Sequence, residues 1–465
     1  MSSREVDLAA RAVEQVAGHL AGAEVLAESD RHELGLTRFA TSVIHQNVAE
    51  DVTTVRLTVH HDGRTATGTA SVVDDAELDG LVRRVVDSVG IAPADPGWPG
   101  LGDPAPPTET SPPDGATAEA TPADRAEVVR AFVDAAGGLE TAGYVRTDHW
   151  HGALASSAGA AVSGEAAECG LSAIAREHGP SGPADGVARL MPLRLADLDG
   201  SALGARAAAK ARAWKDPVEL PAGHYEVVLE PDAVLDLVSH IGAMAMNGKA
   251  VNERISYAEL GADQHDPSIN LYDDPLVLGL GYDREGTPRQ RLTMISSGRT
   301  EAFTHDRRTA AVAGAVSTGH SVVDRFGSGP TARHIGLEPS GPHDRAEEVD
   351  GPAADSSVAE LVAGVQRGLL VSDFWYTRVL DPRTLSLTGL TRNGVWLIED
   401  GEVTAPVKNF RFTQSYARAL APGNVLGIGR TATPIPGDTY AATSPRYTCP
   451  ALHLASWNFT GGASG

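Results

Sequence analysis

The sequence predicts an α+β protein of several units, with small N-terminal α+β domains and a large, mainly β C-terminal domain. Three observations carry that prediction. Helix-period and alternating segments interleave through the first half, a proline-rich stretch interrupts them, and the second half is mostly strand and turn signal. A chain of 465 residues exceeds one ordinary core, and a prior of about three folding units fits divisions at 1–92, 93–123, 124–218 and 219–465.

Within residues 4–28, Val6, Leu8, Ala9, Val13, Val16, Ala17 and Leu20 recur near a 3.6-residue period, which predicts an opening amphipathic helix. Residues 38–46 and 51–60 alternate as strands around a polar break, and Asp62-Gly63 marks a tight turn. Residues 75–90 return to helical spacing through Leu78, Leu81, Val82, Val85 and Val86, with Gly90 as a stop. Eight prolines between Pro93 and Pro113 rule out a regular packed element, so 93–123 is expected to be a linker or long surface loop. A helix is expected from Pro122 to about Ala136, and strands of a second small sheet at 144–150 and 170–177. An alanine-rich helix is expected at 200–215. The third unit opens with a strand at 224–230 and a helix at 231–248. A hairpin follows at 291–295 and 300–304, turning at Gly298, and further strands are expected at 395–401 and 451–455. No internal repeat has a fixed period.

Charge narrows the function. The 61 acidic against 38 basic residues give a formal charge of -23, which repels phosphate backbones and anionic lipid surfaces, so neither nucleic acid nor membrane is an expected partner. Two cysteines, Cys169 and Cys449, support neither a disulfide framework nor a metal knuckle and suit a reducing compartment. The first twenty residues contain acidic groups and no apolar core segment, and no run of eighteen apolar residues occurs. A cytoplasmic, unsecreted protein is expected.

Zinc hydrolases of the HExxH or HExxxH type hold two imidazoles one helical turn apart, and neither pattern is present. His32-Glu33 begins like one, but Leu36 and Thr37 stand where the second histidine belongs, so the dipeptide reads as surface polarity. Asp148-His149-Trp150-His151 places two histidines on one strand face. A metal role lacks an identifiable third ligand, and a polar strand face or peptide-contact surface is the better reading. His60-His61 ends a strand. Ser317-Thr318-Gly319-His320 has no nucleophile elbow around Ser317, the glycines form no phosphate cradle, and Cys449 has no basic partner in sequence. Around the hairpin, Asp283, Glu285, His305, Asp306, Arg307 and Arg308 are either charged ends of a solvated element or, in the rival reading, an acid–base site built on His305-Asp306 with Asp283 and Glu285.

Several segments taken together resemble the TldD/PmbA family, cytosolic bacterial and archaeal proteins acting as a two-subunit metallopeptidase. Arg38-Phe39-Ala40 with Ile44-His45-Gln46-Asn47 and Asp62-Gly63-Arg64 are similar to its first-domain pattern. Asp273-Asp274-Pro275, the run Tyr282-Asp283-Arg284-Glu285-Gly286-Thr287-Pro288, Gly298, Thr309-Ala310 and Ser317-Thr318-Gly319-His320 are similar to its longest shared stretch. Gly368-Leu369, Thr388-Gly389, Gly394 to Gly401 and Pro406-Val407 continue it, so the resemblance spans nearly the whole chain. The family-motif positions of interest are Asp283, Glu285, Gly286, His305, Asp306, Arg307, Thr318, Gly319 and His320. The resemblance implies a catalytic subunit with HExxxH after a VLEP-like strand and a cysteine as third zinc ligand. Here that strand is Val227-Val228-Leu229-Glu230-Pro231, and Ser239, His240 and Met244 occupy the three ligand and base positions. A hydroxyl and a thioether are poor zinc ligands and no general-base carboxylate remains. The resemblance therefore implies a non-catalytic, TldE/PmbA-type subunit, without catalytic residues or a zinc site of its own. Zinc is then expected only in a TldD-type partner, with extended or unfolded peptide as the substrate enclosed between them. A peptide-binding maturation protein working without a protease is the other alternative.

Overall fold

The computed structural model describes residues 4–72, 74–179, 182–322, 327–341, 355–437 and 445–462. The chain begins with α1 (Arg4–His19), β1 (Glu24–Ala40), β2 (Val43–His61), β3 (Arg64–Ser71) and α2 (Asp75–Ile91). A short turn α3 (Gly115–Ala118), α4 (Pro122–Ala135), β4 (Glu140–Ser156), β5 (Ala161–Gly179), β6 (Gly182–Leu190) and α5 (Gly200–Ala213) follow. All six strands form one sheet in the order β3-β2-β1-β4-β5-β6. Residues 140–190 thus do not build a second sheet. β4 runs antiparallel to β1 from Leu26↔Ser156 to Phe39↔Gly143, extending the first.

The long strands let two helix pairs share one sheet face. Val25, Ala27, Val55 and Leu57 pack under α1 and α2 with Leu8, Val16, Leu78 and Leu81. Phe39, Val145 and Leu171 pack under α4 and α5 with Val129, Phe132, Leu203 and Ala207. Between the two pairs the same face carries polar residues. Both α2 and α4 start from a reciprocal cap, Asp74 with Glu77 and Thr121 with Asp124, which satisfies the free N–H groups of the first turn.

Two local expectations change. Residues 38–46 are a hairpin corner, since Thr41 and Ser42 both adopt positive φ, 49° and 62°. The expected break near 47–50 is the exposed middle of β2. The opening helix also ends at His19, and Val25 and Leu26 belong to β1. A short apolar run buried on both sides has no period that separates strand from helix.

The rest of the chain is mainly strand. It contains β7 (Gly223–Leu229), α6 (Pro231–His240), one π-helical turn at Ile241–Ala245, α7 (Gly248–Asn252), β8 (Leu271–Asp273), β9 (Leu292–Ser296), β10 (Arg299–Thr300), α8 (Arg307–Ala313) and β11 (His334–Leu337). Then come α9 (Ser356–Ala363), β12 (Arg367–Asp381), β13 (Ser386–Glu399), β14 (Glu402–Pro406), β15 (Phe410–Ser415), α10 (Tyr416–Ala419), β16 (Val425–Pro436) and β17 (Arg446–Gly462). The helix expected over 231–248 therefore stops at His240. β7 pairs with both β12 and β17, so β17-β15-β13-β12-β7 closes into a ring within the eleven-stranded sheet. Trp457, Phe459, Phe412, Phe374 and Tyr416 belong to the core of this part. No helix among the described residues is long and apolar enough to cross a membrane.

Residues 93–114 contain no helix or strand, yet they are tied down. Trp98 stacks on His60 at 4.9 Å and donates Nε1–H to Glu24. Thr108 bonds the backbone of Gly281 and Arg289, and Thr110 bonds Gly279. This segment straps the N-terminal sheet to the C-terminal part.

The two parts also meet through buried charge. Lys210 Nζ of α5 lies 2.6 Å from Glu230 Oε2, with both side chains wholly buried, and donates to Ser372 Oγ at 3.1 Å. Removing the ammonium leaves Glu230 with the Ser372 hydroxyl and, as counter-charge, the more distant Arg206 at 3.8 Å. Lys210→Met should lower unfolding stability by about 3 kcal/mol, read as a fall in the urea midpoint at unchanged slope. A midpoint unmoved from wild type would show that the pair is not stabilising the joint.

Candidate functional site

The resemblance places the family's HExxxH motif at α6 and the turn after it, where this sequence has Ser239, His240 and Met244 and no metal site is expected. Pro231 opens the helix, where a missing N–H costs nothing, and Val234, Leu237 and Val238 anchor its buried face. Ser239 Oγ donates to the Asp236 carbonyl at 3.0 Å, and His240 Nδ1 sits 2.8 Å from that same oxygen. The His240 ring meets Tyr416 edge-on at 5.9 Å. Tyr416 and Thr377 donate to the Asp236 carboxylate. Met244 lies in the π-helical turn, 36% exposed. Cys449 is fully buried on β17, and burial, reinforced by Asp232, pushes its thiol up. The donors offered here are a hydroxyl already used locally, one imidazole, a thioether and a protonated thiol. They do not fit a catalytic zinc site, which takes imidazole, carboxylate or thiolate ligands and leaves one position open.

The segment 282–320 is a knot of turns. Asp283 accepts the N–H groups of Glu285, Thr287 and Ser321, each at 2.9 Å, and Gly286 completes the turn at φ 77°. Asp306 caps α8 by accepting Thr309 N–H at 2.7 Å. His305 Nδ1 lies 3.2 Å from Thr309 Oγ1, and the His305 N–H donates to Thr318 Oγ1 at 2.7 Å. Ser317 Oγ donates to the His305 carbonyl. Gly319 has φ 74°, and a Cβ there would stand 3.0 Å from the Pro288 carbonyl. His320 Nε2 meets buried Asp273 at 3.0 Å, while the other Asp273 oxygen accepts the N–H groups of Arg333 and His334. Burial would raise Asp273, but His320 and His334 hold it below the usual carboxylate range. Arg307 reaches the carbonyls of Gly100 and Leu101, and Arg308 clasps Asp95 with two bonds of 2.9 and 2.8 Å. His305 and Asp306 thus meet at the Thr309 hydroxyl in the first turn of α8, and the two arginines anchor the strap.

Beside the knot lies a cleft of about 130 Å³ lined by Glu28, Arg56, Trp98, Arg284, Glu285 and Arg307. That is well below the ~300–1,000 Å³ of pockets that bury small ligands. Arg284 bonds Glu28 and Asp30 of β1. Burial pushes Glu28 up to about 7 against the pull of Arg284. Glu285 is pushed up to about 8 by burial and by Asp283, while its Oε2 accepts Arg307 N–H at 2.9 Å.

The four residues 148–151 divide between faces. Asp148 meets His32 at 2.9 Å and Arg146 at 3.2 Å, and Trp150 stacks on His32 at 5.2 Å. On the opposite face His149 and His151 meet Glu33 and Glu165. The third ligand position that the sequence could not supply is therefore occupied by Glu33, whose cross-strand register with His149 is invisible in a linear reading. Sequence reasoning also missed a set of arginines. Burial lowers Arg289 and Arg333, the latter to about 10, and these two together with Arg284 are close enough to oppose one another's charge.

Glu285 binds its proton more tightly folded than unfolded, so its contribution to stability is complete below about pH 4.5 and is lost as pH rises through about 8. In Glu285→Gln this loss is absent, while the side-chain oxygen can still accept Arg307 N–H. The melting temperature of the variant relative to wild type should therefore rise between about pH 5 and pH 9. A constant difference across that range would refute the burial of a neutral carboxyl here.

Residues 222–461 match the model of the PmbA/TldA metallopeptidase C-terminal domain. No curated protein matches the chain. Among solved structures, TldE from Thermococcus kodakarensis is similar with a TM-score of 0.83 at 18% identity, covering 98% of this chain and all of that one. Proteins from Bacteroides thetaiotaomicron and Thermotoga maritima, described as candidate modulators of DNA gyrase, both reach a TM-score of 0.78. Their identities are 19% and 16%, and they cover 99% and 98% of this chain and 99% of their own lengths. These likenesses establish a shared fold over the full length. With the domain match extending over more than half of its residues, the chain belongs to the TldD/PmbA family.

Proposed function

We propose that this protein is a non-catalytic, TldE-like subunit of a cytosolic zinc metallopeptidase complex, in which it encloses extended or unfolded peptide for a zinc-bearing partner. The observation that carries the reading is the donor set on α6 and the π-helical turn after it, where Ser239, His240 and Met244 stand at the positions of the family's HExxxH motif. Zinc in the complex is the partner's, as is the carboxylate that activates water.

Two further features support the reading. Trp375, Tyr376 and Leu380 are 45%, 63% and 59% exposed on the outer half of β12, an apolar surface of the kind an assembling subunit presents. Backbone pairing to a sheet edge, such as that of β3, would hold an extended chain with little sequence preference.

Co-expression with a relative that carries HExxxH should give a stable complex that cleaves unfolded protein, with no cleavage by this chain alone and none lost in His240→Ala. Peptidase activity of the isolated chain that disappears in His240→Ala would sink the proposal. Failure to associate with any such relative would favour a peptide-binding protein acting without a protease.

A further inference from the structure

We propose that Glu33, His149 and His151, with Glu165 bonded to the far ring nitrogen of His149, form a binding site for a divalent transition-metal ion of the zinc class, on the N-terminal sheet and remote in sequence from α6. The four residues come from three adjacent strands. Glu33 on β1 is the direct cross-strand neighbour of His149 on β4, and His151, two residues on, is that of Glu165 on β5. All four point to the helix-covered face, in the polar gap between the α1/α2 and α4/α5 pairs. Ligand atoms of Glu33, His149 and His151 lie within 4.8 Å of one another. His149 Nδ1 is 3.2 Å from Glu33 Oε2, His149 Nε2 is 2.6 Å from Glu165 Oε1, and His151 Nδ1 is 4.0 Å from that same oxygen. Tetrahedral zinc with bonds near 2.0–2.1 Å sets its ligand atoms about 3.4 Å apart, so shifts of about an ångström bring Glu33, His149 and His151 to one ion, while Glu165 accepts from the far nitrogen of His149 and orients the ring.

Hydrogen-bond chemistry adds an independent reason. A neutral imidazole has one donor and one acceptor nitrogen, and carboxylates only accept. His149 faces a carboxylate oxygen from each ring nitrogen, so one contact opposes two acceptors unless the ring carries an extra proton or a cation replaces the proton. Arg31 clasps Asp51 with two 2.8 Å bonds and contacts Glu33 Oε1. Glu33 Oε2 is left facing the histidines. Two imidazoles with carboxylates select zinc-class ions over calcium or magnesium, which take all-oxygen sets. The ion would link strands contributed by segments before and after the proline-rich strap.

The test uses the full chain, freed of any affinity tag, stripped with chelator and titrated with Zn²⁺ by calorimetry and with Co²⁺ by visible absorption. One equivalent should bind, with tetrahedral cobalt bands and a melting temperature raised by Zn²⁺. His149→Ala/His151→Ala should weaken binding at least about tenfold and abolish the shift. Glu33→Gln, nearly isosteric, should weaken binding without loss of fold and decides the matter if the double variant unfolds. His240→Ala should bind as wild type does. Absence of Zn²⁺ binding by the folded wild-type chain, or unchanged affinity in Glu33→Gln, would overturn the proposal.

Discussion

The structure depends on buried charge at the entry to α6. Glu230, the last residue before Pro231, receives Lys210 from α5, and Arg189 of β6 bridges Asp232 on α6 and Asp373 on β12 with two 2.9 Å bonds. Asn393 donates a further bond to Asp373. Taking such groups from water costs several kcal/mol per ion, recovered only when geometry and secondary hydrogen bonds are good. A sliding or tilted joint would strand them, so the N-terminal sheet and the C-terminal ring dock in one register. These contacts add specificity of arrangement as much as stability, and they fix α6 relative to the sheet.

The second joint explains why the most recognisable residues are not chemical ones. Asp283, Asp306, Thr318 and His320 spend their polar atoms on backbone groups or on one buried carboxylate, producing a rigid cluster of turns. That cluster projects Arg284 onto Glu28 and Asp30 of β1, and Arg307 and Arg308 onto the strap. Each contact spans more than two hundred residues of sequence. A motif dense in acids, bases and glycines can thus be demanded by a three-way junction, because sharp turns need positive φ and buried arginines need fixed acceptors.

Local chemistry was legible and long-range pairing was not. The starts of α2 and α4 and the turn at Gly298 follow from residue type at fixed offsets, and the structure places them there, whereas α2 continues through Gly90 to Ile91. The break at Thr41-Ser42 was hidden because neither residue is a glycine, although both adopt positive φ. The end of α6 at His240 was hidden as well, since apolar spacing continues through Ile241 and Ala245 while the backbone changes to a π-helical turn. The pairing of β1 with β4 has no local signature, because register across about 115 residues is set by which faces are buried. That gap is why Glu33 looked like half of an absent helical motif and His149 like half of an incomplete metal site.

The two sets of candidate donors call for different roles. A catalytic zinc keeps one coordination position open and has a carboxylate beside the bound water. On α6 neither condition can be met, since Asp236 is held by Tyr416 and Thr377, and its carbonyl occupies Ser239 and His240. On the sheet, Glu33, His149 and His151 would hold an ion and Glu165 would orient His149 from its far nitrogen, away from the helix whose equivalent carries the family's catalytic motif. An ion there would cross-link β1 and β4. A subunit can therefore lack catalytic zinc and still bind zinc, so that metal content alone does not separate a silent subunit from an active one. The position of the ion in the fold does.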